Sequence, residues 1–262
     1  MTGAQFLPKT FIFDQPLQTE GREPKVDFFR RAIGPWKSEF NLQSALDLGC
    51  GVGYYSAMLQ DLGLSVTAVD GRIGNIEEAR NRYPRIDFRV ADAEDPSLTS
   101  LGAFDLVACF GLLYHLENPF LVMRSLRALT EKILLLESMV VPKEEPFLIL
   151  MDEGPVEDQS LRAISFYPSE GAIIKMAYHA GFPHVYRFRE LPDHEDYRAR
   201  MGSVRRRTVI AASNQAINSP LLEAAVEPTL SGNLWATNST GIAKFIRRFR
   251  RKPKRSRNTH RS

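Results

Sequence analysis

The stretch Ser44-Ala45-Leu46-Asp47-Leu48-Gly49-Cys50-Gly51-Val52-Gly53 decides how the rest of the chain reads. Residues 44–48 are a short apolar run suited to a buried strand. The run ends in Asp-x-Gly and passes through three spaced glycines into residues 54–62, which carry an apolar helical face and stop at Gly63. A strand, a glycine turn and a helix in that order bring a ligand against backbone N–H groups. Glycine permits the dihedrals such a turn needs and offers no side chain to block close approach.

The same alternation continues downstream. Residues 65–69 form a β-rich run ending at Asp70, followed by a helix over 74–82 that stops near Pro84. Residues 86–90 alternate as a strand and run into Asp92. Residues 104–110 are nearly all apolar, as expected of a central strand covered on both faces. Pro119 starts a helix through 129, and 133–136 form the next strand. Five strands and four helices over 44–138 predict an α/β, doubly wound, mostly parallel sheet with helices on both faces. Ligands bind such sheets at the strand C-terminal ends. Residues 139–168, with prolines at 142, 146, 155 and 168, interrupt the pattern as an expected substrate cover. A helix over 171–180 and strands over 185–188 and 208–212 complete the domain.

Around this 44–213 domain, residues 1–43 read as an irregular extension with a short helix over 26–33, closed by Gly34-Pro35. Residues 214–262 read as a C-terminal extension. Ten of the 34 Lys and Arg fall in 244–262 with none of the 31 acids, which leaves 24 bases against 31 acids in residues 1–243, a net of about −7. Within 241–262, Ile242, Phe245, Ile246 and Phe249 share one helical face among the basic residues. That pattern suits an anionic membrane surface; an RNA partner and a solvated tail are the other readings. Cys50 and Cys109 make neither a disulfide framework nor a CxxC pattern, and the His194 cluster lacks ligand spacing, so no metal is expected. Hydrophobic content of 44% with 25% charged residues fits a globular protein. Without a leader or a long apolar run, the expected location is cytoplasmic, with peripheral attachment at the inner membrane surface through the tail.

Three ligand-facing features fall at the ends of three successive strands. The glycine loop closes the first. Asp70 closes the second, where a carboxylate accepts both ribose hydroxyls of an adenosine. Asp92 follows the third, beside an adenine edge. Residues 46–53, Val69-Asp70, Ala91-Asp92-Ala93 and Phe104-Asp105-Leu106-Val107 resemble four motifs of the class I (Rossmann-like) S-adenosylmethionine-dependent methyltransferases. The resemblance covers Leu46 to Glu137. It implies a seven-stranded order of 3-2-1-4-5-7-6 with an antiparallel seventh strand, and S-adenosyl-L-methionine as cofactor. The implied contacts are Asp47, Gly49, Cys50, Gly51, Gly53, Tyr54, Asp70, Gly71, Asp92, Ala93, Cys109 and Phe110. A nicotinamide oxidoreductase is the competing class, but its third fingerprint glycine is replaced here by Tyr54. A non-catalytic nucleotide-binding module is the third reading.

Individual positions carry two readings each. Asp47 either braces the loop or faces the ligand's amino end, and Cys50 reads as a small filler. His115, after the central strand in Gly-Leu-Leu-Tyr-His-Leu, either takes a proton from an acceptor or packs in its loop. Tyr114, His115 and Tyr167 are the candidate acceptor contacts. The acids of the cover read as solvated. The Leu-Tyr-His segment is also locally similar to the methyltransferases that modify wobble uridine in transfer RNA. The expected reaction is therefore methyl transfer to an O or N nucleophile of a small-molecule or glycan-type acceptor, membrane-associated in one form, with transfer RNA as the alternative.

Overall fold

A computed structural model of the chain describes residues 11–154, 160–198 and 206–229. The basic helix and tail expected over 241–262 lie outside the described residues, as do the cover acids Glu157 and Asp158.

Eight strands form the central sheet. They are β1 (Ser44–Leu48), β2 (Ser65–Asp70), β3 (Asp87–Val90), β4 (Phe104–Phe110), β5 (Thr130–Val140), β8 (His184–Phe188), β9 (Arg206–Ser213) and β10 (Leu222–Ala224). A separate hairpin pairs β6 (Leu148–Asp152) with β7 (Ile164–Pro168). The spatial order is β3-β2-β1-β4-β5-β9-β8-β10. β1 to β5 run parallel, and β9 is antiparallel to both neighbours. The expected 3-2-1-4-5-7-6 order holds for the first seven strands, with β9 as the reversed one. The eighth, β10, comes from the weakly patterned stretch after Ser213 and pairs antiparallel with β8.

Strand periodicity explains the two cores. Along β4, Leu106, Ala108 and Phe110 face one cluster, while Val107 and Cys109 face the other. The first cluster is closed by α2 (Arg22–Glu39), α3 (Tyr54–Asp61) and α4 (Ile73–Arg82); the short α1 (Pro16–Thr19) precedes them. The second is closed by α5 (Pro119–Leu129) and α6 (Glu170–Ala180). Ser169 caps α6, its Oγ accepting from the Ala172 N–H at 3.0 Å.

The helix expected over 26–33 instead runs through Gly34-Pro35 to Glu39. An internal proline costs a helix about 3 kcal/mol. Beyond it, Trp36 is buried with Phe28, Phe29 and Ile33 in the first cluster. Burying one such large apolar side chain contributes about 1.5–3 kcal/mol, which offsets an interruption of about that size. Within 139–168, the segment expected only to interrupt the alternation, residues 148–152 and 164–168 pair as the β6–β7 hairpin. The period-2 signal is weak there since Leu148, Leu150 and Met151 are exposed. Among the described residues no helix is long and apolar enough to cross a membrane.

Candidate active site

The strand C-terminal ends open onto a cavity of about 500 Å³, within the range of small-molecule and cofactor sites. Its floor is the glycine loop. The Gly49 and Cys50 N–H groups donate to the Val69 carbonyl at 2.8 and 3.0 Å, tying the loop to β2. Gly49 and Gly51 adopt φ of +82° and +54°. A Cβ on Gly49 would meet Leu112 at 3.0 Å, so both backbone shape and space require glycine.

Asp70 ends β2 facing this loop. Its carboxylate accepts from Gly51 N at 3.0 Å, Arg72 N at 2.9 Å and Asn75 Nδ2 at 3.1 Å. An ionised carboxylate offers about four acceptor positions, so this bracing fixes Asp70 and leaves capacity for a hydroxyl donor. Glycine loop, fixed carboxylate and cavity together fit an adenosine-bearing cofactor.

Residues of the 139–168 segment line the cavity both beside Gly71 and Asp92 and beside Tyr114 and His115. Leu161 packs against Gly71, where an added Cβ would lie 2.5 Å from Leu161 Cδ1. Arg162 reaches Asp92 Oδ2 at 2.5 Å, Glu94 Oε2 at 2.8 Å and Glu117 Oε2 at 3.4 Å. Burial alone would raise the Asp92 pKa, but the Arg162 hydrogen bond and charge hold it below the usual carboxylate value.

At the other end, His115 Nδ1 lies 3.0 and 2.9 Å from the two carboxylate oxygens of Glu153. Ser160 N donates to the same carboxylate at 2.7 Å. Burial would raise the Glu153 pKa; the His115 hydrogen bond and charge, with the Ser160 N–H, bring it below the usual value. Deeper still, Arg207 Nη1 bonds both oxygens of buried Glu137 at 2.9 and 3.1 Å, and Tyr197 OH donates to one of them at 3.1 Å. Arg207 Nη2 donates to Tyr114 OH at 3.2 Å. Its Nε sits 3.3 Å from Asp196 Oδ2, near enough for charge attraction but not aligned as a hydrogen bond. Burial pushes the Tyr114 hydroxyl up to about 12, so it stays neutral.

Of the residues expected from sequence, Gly49, Gly51, Asp70, Gly71, Asp92, Ala93, Phe110, Tyr114, His115 and Tyr167 line this cavity. Five others lie elsewhere. Asp47 is buried and accepts from Ser56 Oγ at 2.6 Å, which ties β1 to α3. Its carboxyl is pushed up to about 7 by burial, partly offset by that hydrogen bond, with the Asp70 charge adding to the rise. Cys50 and Cys109 are buried in the two cores, because their strand and loop faces turn from the ligand side. Gly53 has φ +89° and packs on Phe88 and Tyr83. Tyr54 bonds Asp14 and Arg82 and carries the Arg22 guanidinium 3.4 Å over its ring, so it anchors the N-terminal segment; its neighbour Tyr55 takes the cavity position.

Arg162, Arg207, Asn75 and Lys25 were not singled out from sequence. The acid Glu153 had a solvated reading; the structure makes it one of the buried carboxylates. Among the described residues no cluster of three His, Cys, Asp or Glu side chains could hold a metal.

Comparison with known proteins agrees with this geometry. Residues 46–132 match the model of a methyltransferase domain. The ubiquinone biosynthesis O-methyltransferase of Xanthomonas campestris pv. campestris (strain B100) is 34% identical over 88 residues, 32% of this chain and 37% of that protein. The enzyme of the same name from Xanthomonas oryzae pv. oryzae (strain PXO99A) is 34% identical over 84 residues, 30% and 35% of the two chains. The match thus spans little more than a third of those relatives. Among solved structures, the N-terminal domain of EvdMO1 with S-adenosylhomocysteine bound superposes with a TM-score of 0.63 at 18% identity, over 77% of this chain and 85% of that one. Magnesium protoporphyrin IX methyltransferase from Synechocystis PCC 6803, with S-adenosylmethionine bound, gives 0.52 at 20% identity over 77% and 85%. At such identities the likeness is one of fold. Residues 46–132 are thus similar to a methyltransferase domain, on a Rossmann-like α/β fold shared with solved structures that bind S-adenosylmethionine or S-adenosylhomocysteine.

Proposed function

We propose that the chain transfers a methyl group from S-adenosylmethionine to an O or N nucleophile of a small-molecule or glycan-type acceptor, with His115 as general base. The observation that carries this reading is the His115–Glu153 pair, set at the cavity that also exposes the glycine loop and Asp70. S-adenosylmethionine supplies a methyl group on a sulfonium, open to in-line displacement, and leaves as S-adenosylhomocysteine.

The loop backbone at Gly49 and Gly51 would hold the amino-acid part of the cofactor, Asp70 the ribose, and Asp92 with Ala93 the adenine. His115 donates Nδ1–H to Glu153, which leaves the Nε2 lone pair for the acceptor proton. Glu153 fixes ring and tautomer and balances the imidazolium formed as the proton arrives. Aromatic walls at Tyr55, Phe110, Tyr114 and Tyr167 suit a compact acceptor better than a folded RNA. The cover excludes water from the nucleophile.

Methyl transfer from radiolabelled S-adenosylmethionine to a panel of phenols, hydroxylated sugars and transfer RNA tests this. Label is expected in the small acceptors, with His115→Ala about 10²-fold slower. Label in transfer RNA alone would overturn the acceptor class.

A further inference from the structure

Lys25 stands in the first turn of α2, and its side chain lines the inner end of the cavity. The centroid of the Tyr197 ring lies 5.8 Å from its Nζ. Among the described residues no carboxylate comes within ion-pair distance of this ammonium. The neighbouring charges are committed elsewhere. Glu137 is held two-pronged by Arg207, and the Asp196 carboxylate, more exposed, sits against the far side of the same guanidinium. Both acids at this end are held by Arg207, and Lys25 is left without a direct ion-pair partner of its own. The surroundings already disfavour its charge: burial lowers its pKa, Glu137 and Asp196 raise it, Arg207 lowers it, and the net direction is down. A partly buried unpaired cation costs free energy that an anionic ligand would recover.

Aromatic and apolar side chains share the cavity with Lys25: Tyr55, Phe110, Tyr114, Met139 and Tyr167 line it, along with Glu137 and Arg207. Burial pushes both the Tyr55 and Tyr114 hydroxyls upward, so neither opposes an anion. We propose that this end is an anion subsite, in which Lys25 binds a carboxylate carried on an aromatic acceptor while the aromatic body rests among these side chains. The inference rests on the methyltransferase reading for its assignment to the acceptor, but the subsite is defined by the chain's own residues. Lys25 would then select acceptors by charge, and His115 would act on a hydroxyl or amine elsewhere on the same ring.

The test is calorimetric titration of the full chain with benzoate and with its neutral isostere benzamide, before and after saturation with S-adenosylhomocysteine. Wild type is expected to prefer benzoate about tenfold, as a charge-assisted contact provides. Lys25→Met removes the preference and leaves benzamide binding as it was, while Lys25→Arg keeps it. Equal affinities for the two probes in wild type, undetectable binding of both included, overturn the subsite. So does a Lys25→Met chain that still prefers benzoate. A benzoate preference that depends on Lys25 in a chain that ignores S-adenosylhomocysteine upholds the subsite and removes the cofactor reading.

Discussion

His115 Nδ1 lies 2.9 Å from Glu153 Oε2, joining a residue of the loop after β4 to one of the cover 38 positions later. The cover therefore completes the proposed base as well as enclosing it. Glu153→Gln keeps the size of the side chain and removes its charge. It is expected to lower kcat about tenfold, with acceptor KM and S-adenosylhomocysteine affinity unchanged, because only the proton-accepting state loses support. Steady-state kinetics with both substrates varied checks this. A loss confined to KM would make Glu153 a binding residue instead.

Arg162 ties the proposed cover to Asp92, Glu94 and Glu117 at the end proposed to hold the nucleoside. Arg162→Ala is expected to raise both the association and dissociation rates of S-adenosylhomocysteine about tenfold, with a smaller change in Kd, because a latch slows passage both ways. Stopped-flow fluorescence reads the two rates. Unchanged rates would mean that the cover does not gate this end.

How far the sequence disclosed this site follows from distance along the chain. β1, β4 and the loop between β1 and α3 were legible because their signal is local: an apolar run, an Asp-x-Gly turn and a helical face within twenty residues. Asp70 and Asp92 were legible because one ends a strand and the other follows one by two residues. Glu153 was not, since an acid in an acidic stretch looks solvated until a fold brings His115 to it. Lys25 was hidden the same way, in a helix whose length local punctuation misstated. Gly34-Pro35 looks like a stop, and only the burial of Trp36 overrides it. Cys109 shows the opposite failure: it sits on the right strand, but alternation turns it into the second core.

Asp47 gives the stability a readable pH dependence. The unfolded chain releases this proton near the ordinary 3.8 and the folded chain only at about 7. Between these values folding takes up a proton, so the Asp47 contribution to stability declines as pH rises through the interval and levels off above it. Asp47→Asn still accepts from Ser56 and carries no charge. Above pH 8 it is expected to be more stable than wild type by about 2–4 kcal/mol, and near pH 4 equal to it. Denaturant titrations at the two pH values test this; a variant equally destabilised at both would show that the buried carboxylate is needed in its ionised form.

The buried Glu137–Arg207 pair behaves as one unit. Arg207→Met leaves Glu137 without its counter-charge and is expected to cost about 3–5 kcal/mol. Adding Glu137→Leu removes the orphaned carboxylate and should recover much of that loss. Thermal melts of the single and double variants separate this from simple packing damage, which would make the double variant the less stable of the two.

The most direct measurement of the central claim is calorimetric binding of S-adenosylhomocysteine to wild type and Asp70→Ala. Asp70 braces Gly51 and is the proposed ribose acceptor, so its loss should weaken binding at least tenfold, as removal of a charge-assisted hydrogen-bond acceptor does. Micromolar binding by wild type, on the order of −8 kcal/mol, and a marked loss in the variant are the expected results. No binding by a folded wild-type chain, or equal binding by Asp70→Ala, would contradict the assignment.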